Sequence, residues 1–180
     1  MNKIPQEIER KYLIREDSLE YPTKALYRLY SSTESLKEKV LVNGETIQQG
    51  YMPIEKGIQL ASRLGIKVDF EVKEARLRFR AGKSHFTLKG EGDVSRREIE
   101  HRITKDLFDE YWPSTDGKRV EKTRLKSPFE EYVLEIDVYT DRDLIIAEVE
   151  VPTITHAENL DPIGLDVTAN KRYKNKNLAK

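Results

Sequence analysis

Alternation at period two, with charge on one side and apolar side chains on the other, recurs along this chain and limits what it can fold into. In QEIERKYLI (6–14), Glu7, Glu9 and Lys11 share a face; Ile8, Tyr12 and Ile14, with Arg10 among them, share the other. EARLRFR (74–80) sets Arg76, Arg78 and Arg80 against Leu77 and Phe79, and in HFTLKG (85–90) Thr87 and Lys89 alternate with Phe86 and Leu88. SRREIEHRI (95–103) opposes Arg96, Glu98, Glu100 and Arg102 to Arg97, Ile99, His101 and Ile103. VEKTRL (120–125) puts Lys122 and Arg124 on one face with Val120. YVLEIDVY (132–139) sets Glu135 and Asp137 against Leu134, Ile136 and Val138, and LIIAEVEV (144–151) sets Glu148 and Glu150 against Ala147, Val149 and Val151.

These patterns predict strands near 6–14, 25–30, 45–52, 66–73, 75–81, 84–90, 95–103, 119–126, 131–140 and 144–151. Turn residues separate several of them, at Asn43-Gly44, Ala81-Gly82, Gly90-Glu91-Gly92 and Asp116-Gly117. Helical spacing appears at 34–40 and 55–65, and at 104–112, where Thr104 can cap and Pro113 follows as a stop. Many short strands with few helices predict an α+β chain, mainly antiparallel β with peripheral helices: a closed barrel or a sandwich.

Taken singly, each charged face is most simply a solvated one, since exposed ion pairs are common and worth little. A barrel changes the weighing, because every strand then has one inner and one outer face. If the apolar faces pack outward against helices, carboxylates and cations line the interior together, and buried charges must pair or find ligands. A polyphosphate with divalent cations suits both sets: bases bind phosphate oxygens and carboxylates bind metal.

The composition narrows the ligand further. At 180 residues the expectation is one domain, 1–180, with 36% charged residues in exact balance, 32 basic against 32 acidic. That balance counts against a nucleic-acid or membrane-surface protein held by bulk charge. Without cysteine there is no disulfide or thiolate metal site, and His85, His101 and His156 are too scattered for a zinc site. Any metal is then held by oxygen, which points to magnesium, manganese or calcium. No apolar leader or long apolar run is evident, so a cytoplasmic setting is expected.

The same segments resemble a known family. EIERKYLI looks like the ExExK signature of the CYTH family, also called triphosphate tunnel metalloenzymes, and particularly its bacterial members. IQQGYM is similar to the family's QGY segment, RLRFR to its RxR strand, FTLKG to its LTxKG strand and RREIE to its RxExE strand. EKTRL, LEIDVY, IIAEVEV and the terminal LDVTANKRYKNKNLA follow in family order, so the match spans nearly the whole chain.

The resemblance implies a tunnel of eight antiparallel strands and metal-dependent hydrolysis or rearrangement of a triphosphate. It implies Glu7, Glu9, Glu148 and Glu150 as leading metal ligands, with Asp137 beside them, for Mg2+ or Mn2+. Glu98, Glu100 and Glu135 complete the acidic lining. Lys11, Arg78, Arg80, Lys89, Lys122 and Arg124 would hold phosphate, with Arg76 and Arg96 as further contributors. Lys11 and Tyr51 would form a pair near the bond that is cut.

The leading expectation is hydrolysis of inorganic tripolyphosphate to pyrophosphate and phosphate. The alternatives are an adenylate cyclase, a thiamine triphosphatase, and a non-catalytic polyphosphate- or nucleotide-binding module. The expected partner is a triphosphate-containing small molecule, with a homodimer as an open option and neither nucleic acid nor membrane involved. Two features depart from the family pattern. Arg102 stands where many relatives carry an acid, and residues 21–44 and 53–74 make the chain between the first motif and RLRFR longer than expected of a compact relative. Within the second of these stretches EKGIQLASRLG is expected to be an externally packed helix, with Leu60, Leu64 and Ile58 as its apolar side.

Overall fold

The computed structural model describes residues 6–15, 35–92 and 94–180. Its main strands are β1 (Gln6–Ile14), β2 (Glu45–Met52), β3 (Glu74–Arg80), β4 (Lys83–Lys89), β5 (Ser95–Ile103), β6 (Arg119–Phe129), β7 (Tyr132–Tyr139) and β8 (Ile145–Glu150). They form a closed eight-stranded antiparallel barrel, in the order β5-β4-β3-β2-β6-β7-β8-β1, with β1 pairing back to β5. A two-residue strand β9 (Leu165–Asp166) adds to β1. The helices are α1 (Leu36–Asn43), α2 (Ile54–Arg63), α3 (Lys105–Tyr111), α4 (Ile154–Asn159) and α5 (Asn175–Leu178). Among the described residues, no helix is long and apolar enough to cross a membrane. The chain divides into two compact units.

The first unit takes in residues 47–120, Glu7 at the start of β1 and the last seven residues. Strands β3 and β4 meet in a two-residue turn in which Ala81 (φ 48°) and Gly82 (φ 72°) are both left-handed. That is the turn whose twist suits a tight hairpin. Leu77, Phe86, Leu88, Ala75 and Met52 bury one side of the sheet against Leu60 and Ala61 of α2 and Phe108 of α3. Gly57 lets α2 approach closely, since a Cβ there would lie 2.4 Å from that of Ala75. Thr104 caps α3 by accepting from Leu107 N at 3.3 Å, and Phe108 stacks on Trp112 with ring centres 4.8 Å apart. Leu60 is therefore a core residue of an external helix, as expected, whereas Ile58 is half exposed.

One expectation fails here. Residues 66–73 are not a strand. Ile66, Val68, Phe70 and Val72 do alternate, and they pack against the same apolar cluster. Alternation reports a buried side, but a strand also needs a neighbour's hydrogen-bond ladder, and this segment has none. Helix α3 ends at Tyr111, before Pro113 as expected, and a separate 3-10 turn, Trp112–Thr115, follows it.

The second unit takes in residues 8–46 and 121–173. Strands β6, β7, β8 and β1 pair in sequence, and α1 packs on β7. Ser35 and Glu38 close a reciprocal capping box on α1, and Leu36 and Val40 are fully buried. Each such burial stabilises by about 1.5–3 kcal/mol. Leu134, Ile136, Val138, Ala147 and Val149 form the buried apolar side, and their strand neighbours Glu135, Asp137 and Glu148 are on the opposite side. The helix α4, capped by Thr153, and strand β9 were not expected from the sequence. The strand expected over 25–30 lies outside the described residues.

Candidate functional site

In the first unit, register stacks the charged residues in rows across the sheet. Tyr51, Arg76, Thr87 and Glu100 are cross-strand neighbours, and the next row toward the hairpin is Gln49, Arg78, His85 and Arg102. On the other side lies the row Glu74, Lys89 and Glu98. This is the face the apolar cluster leaves free, and its cations are buried: Lys89 is 2% exposed and Arg76 7%.

Lys89 is the centre of the acid-rich end. Its Nζ lies 2.8 and 2.7 Å from the two Glu7 oxygens and 2.6 Å from Glu98 Oε2. Arg96 Nε donates to Glu7 Oε2 at 2.8 Å, and Arg96 also approaches Glu74 at 3.9 Å. Burial opposes the charge on Glu7, but Lys89 and then Arg96 outweigh it and hold the carboxyl below its ordinary range. Burial acts on Glu98 too, and with Glu7 as a like-charged neighbour it pushes that carboxyl up to about 7 despite Lys89. Higher on the face, Arg78 Nη2 donates to Glu100 Oε2 at 2.7 Å, and Arg76 Nη2 donates to Thr87 Oγ1 at 3.2 Å. Tyr51 is buried and accepts from Gln49 Nε2 at 2.8 Å.

In the second unit, Arg124 holds a fan of carboxylates. Its Nε and Nη2 donate to Asp137 Oδ1 and Oδ2, both at 2.6 Å, and Nη2 also reaches Glu148 Oε2 at 2.7 Å. Its Nη1 donates to Glu135. Lys122 donates to Asp137, and both partners are almost wholly buried. Burial, and then the neighbouring Arg124, lower the Lys122 ammonium to about 8 even with Asp137 beside it. Against the cost of burial, Arg124 and Lys122 keep Asp137 ionised. Lys11 Nζ lies 2.8 Å from Glu148 Oε1 and 3.7 Å from Glu9 Oε1. Burial disfavours the charge on Glu148, yet Lys11, Lys122 and Arg124 together hold it well below the usual carboxylate range.

The backbone of Lys11 is pinned from the far end of the chain. Lys11 N donates to Thr168 Oγ1 at 3.0 Å, and Val167 N donates to Lys11 O at 2.9 Å. Thr168 in turn donates from N and Oγ1 to Asp166 Oδ1. Thr168 and Glu74 are the residues of these clusters that sequence reasoning missed. Glu74 shares the parity of Arg76 and was legible in principle; Thr168 is joined to Lys11 across 157 positions and was not.

The donor set is consistent with a small hard cation. Glu9 stands directly opposite Glu150, and Glu135 directly opposite Glu148. Like charges so placed repel unless a cation lies between them. Lys89 already sits among three carboxylate oxygens of Glu7 and Glu98, with its ammonium where a cation is favoured. Among the described residues, no three acids or histidines converge on one point. Of the expected site residues, Glu7, Lys89, Glu98, Glu100, Arg78 and Tyr51 are placed on the charged face of the first unit. Lys11, Glu9, Lys122, Arg124, Glu135, Asp137, Glu148 and Glu150 share that of the second. Arg80 lies at the hairpin end of β3, opposite Lys83. Lys11 and Tyr51 thus belong to different units.

No protein-family model matches the chain. Among characterised proteins it is 40% identical over 112 residues to an inorganic triphosphatase of Nitrosomonas europaea, covering 59% of this chain and 74% of that one. It is 32% identical over 152 residues to an inorganic triphosphatase of Acetivibrio thermocellus, covering 82% of this chain and 94% of that one. Among solved structures, one of an inorganic triphosphatase superposes with a TM-score of 0.54 at 30% identity, over 96% of this chain and 93% of the other. With the barrel, its alternating charged faces and these relatives together, the chain belongs to the CYTH family.

Proposed function

We propose that this protein hydrolyses inorganic tripolyphosphate to pyrophosphate and phosphate, with Mg2+ or Mn2+ as cofactor, in the cytoplasm. The observation that most supports this is the register that opposes Glu9 to Glu150 and Glu135 to Glu148, with Lys11, Lys122 and Arg124 buried among them. Carboxylate pairs without thiolates or a histidine cluster suit a metal that travels with phosphate. The relatives named inorganic triphosphatase agree with that substrate.

In this reading Glu7, Glu9, Glu148 and Glu150 hold the metal, and Glu98, Glu100 and Glu135 supply the remaining acidic lining. When bound, the divalent cation neutralises phosphate charge and makes water a stronger nucleophile. The chain's own cations do the positioning. Lys11, Arg78, Arg80, Lys89, Lys122 and Arg124 bind phosphate oxygens, with Arg76 and Arg96 in support, and stabilise charge on the leaving pyrophosphate. Lys11 exchanges its contact with Glu148 for a phosphate oxygen, and Tyr51 is the second catalytic residue of the reading. Asp137, expected among the metal ligands, has both oxygens engaged by Arg124 and Lys122 and acts by holding those two cations in place.

Incubation with tripolyphosphate, ATP or thiamine triphosphate, each with Mg2+ or Mn2+, tests the proposal. Phosphate release fastest from tripolyphosphate is expected. Cyclic AMP with pyrophosphate from ATP, preference for thiamine triphosphate, or recovery of intact bound triphosphate would each overturn it.

A further inference from the structure

The segment LDVT (165–168), to which the proposed function gives no part, is laid along β1 beside Lys11. Leu165 and Asp166 pair with Leu13 and Tyr12, and Gly164 passes so close that a Cβ there would lie 2.6 Å from Leu13 O. Ile163 and Val167 are buried and anchor the segment on either side of that pairing.

In an antiparallel sheet the N–H and C=O of one residue point to the same neighbour. Those of Lys11 meet Thr168 Oγ1 at 3.0 Å and Val167 N at 2.9 Å, and so point away from β8. Lys11 and Glu148 are therefore a non-hydrogen-bonded pair, the kind whose side chains stand closer, and the Lys11 ammonium meets Glu148 Oε1 at 2.8 Å. The backbone of Lys11 is thus held by one side-chain hydroxyl and one amide from the far end of the chain.

A hydroxyl can donate or accept, and here its direction is fixed. Thr168 Oγ1 has two acceptors within reach, Asp166 Oδ1 at 2.6 Å and Lys11 O at 3.4 Å, and the second is already taken by Val167 N. The proton goes to the carboxylate, the shorter and charge-assisted bond, which leaves an Oγ1 lone pair for Lys11 N. Asp166 is held in turn: Thr168 N donates to the same Oδ1 at 2.9 Å, and Arg10 Nη2 lies 2.9 Å from Oδ2. An ordinary Asx turn accounts for the bond from Thr168 N. It does not account for a buried hydroxyl aimed at an amide 157 positions away.

We propose that Asp166 and Thr168 are positioning residues for Lys11: the carboxylate orients the hydroxyl, the hydroxyl holds the Lys11 amide, and the ammonium is thereby set against the transferring phosphate. This rests on the proposed function, which gives Lys11 its catalytic place. The lysine side chain is long and flexible, so where its ammonium can reach depends on where its Cα is fixed, and a misplacement of about 1 Å can cost about 100-fold in rate.

The test is steady-state phosphate release from tripolyphosphate by the whole protein, well below its melting temperature, together with amide hydrogen exchange at Lys11 followed by NMR in chelator. Thr168→Val keeps the side-chain shape and removes the acceptor. It should lower kcat by about 10–100-fold with KM little changed, and speed exchange of the Lys11 amide. Thr168→Ser retains the hydroxyl and should keep both kcat and protection near wild type. Asp166 is less buried than Thr168, so Asp166→Ala serves where Thr168→Val does not fold; it should lower kcat in the same direction. Asp166→Asn, which retains an oxygen for the hydroxyl, should recover most of that loss. A lower melting temperature with kcat unchanged in Thr168→Val and Asp166→Ala would make the segment a tie for the fold alone and overturn the inference. So would a Thr168→Ser variant no more active than Thr168→Val. Active wild type with unchanged variants defeats this inference alone; wild type inactive toward tripolyphosphate defeats the proposed function, and the inference with it.

Discussion

Glu9 and Glu150 face each other directly across the antiparallel pair of β1 and β8. A sheet ordinarily sets opposite charges there, and the proposed function gives these two carboxylates a divalent cation to share. Glu9→Gln and Glu150→Gln should each raise the Mg2+ or Mn2+ concentration needed for half-maximal activity by about 10–100-fold. A metal titration of phosphate release checks this, and an unchanged half-saturation point would remove the pair from the metal site.

Asp137 is expected to matter for stability as much as for turnover. It is fully buried and accepts from both Lys122 and Arg124, so Asp137→Ala leaves two cations without their main counter-charge. Removing one partner of a buried ion pair costs about 3–5 kcal/mol. Urea unfolding in chelator should show a loss of that size. A variant as stable as wild type would mean that the cations rearrange freely.

The carboxyl of Glu98 gives the protein a pH dependence of known sign. Its pKa is raised from 4.5 to about 7 in the folded state, so the folded form binds a proton that the unfolded chain has released. That contribution to stability is complete below about pH 4.5 and is lost as pH rises through 7. Glu98→Gln should therefore flatten the fall in urea midpoint between pH 5 and pH 8 in chelator. If the variant and wild type fall in parallel, Glu98 is not the group responsible.

Gly57 sits where helix α2 meets β3. Alanine would favour the helix by about 1 kcal/mol, but its Cβ would lie 2.4 Å from that of Ala75. The clash should win, since overpacking a core typically costs 1–3 kcal/mol, and Gly57→Ala should melt at a lower temperature than wild type. A higher melting temperature would show that α2 can shift outward freely.

Much of this was readable from alternation. The parity that set Arg76 against Leu77 and Glu148 against Val149 is the parity of the folded strands, because a period of two leaves a strand no other way to divide its faces. The same signal misled at Ile66, Val68, Phe70 and Val72, where one side is buried against the apolar cluster but the segment forms no strand of the sheet. Parity could put Asp137 on the charged face but could not show that Arg124 takes it bidentately, which depends on side-chain packing across β6 and β7. The clamp of Thr168 on Lys11 joins the two ends of the chain, and no local pattern encodes such a contact.

The most direct test of the account is phosphate release from tripolyphosphate by wild type and by Glu148→Gln, with Mg2+ or Mn2+ and again with chelator. Glu148 lies between Lys11 and Arg124, and the variant should lose activity by about 100-fold, the scale on which single groups stabilise transferring phosphoryl charge. Wild-type release should be fast with metal and absent in chelator. Undiminished activity in Glu148→Gln, or hydrolysis that survives removal of divalent ions, would contradict it.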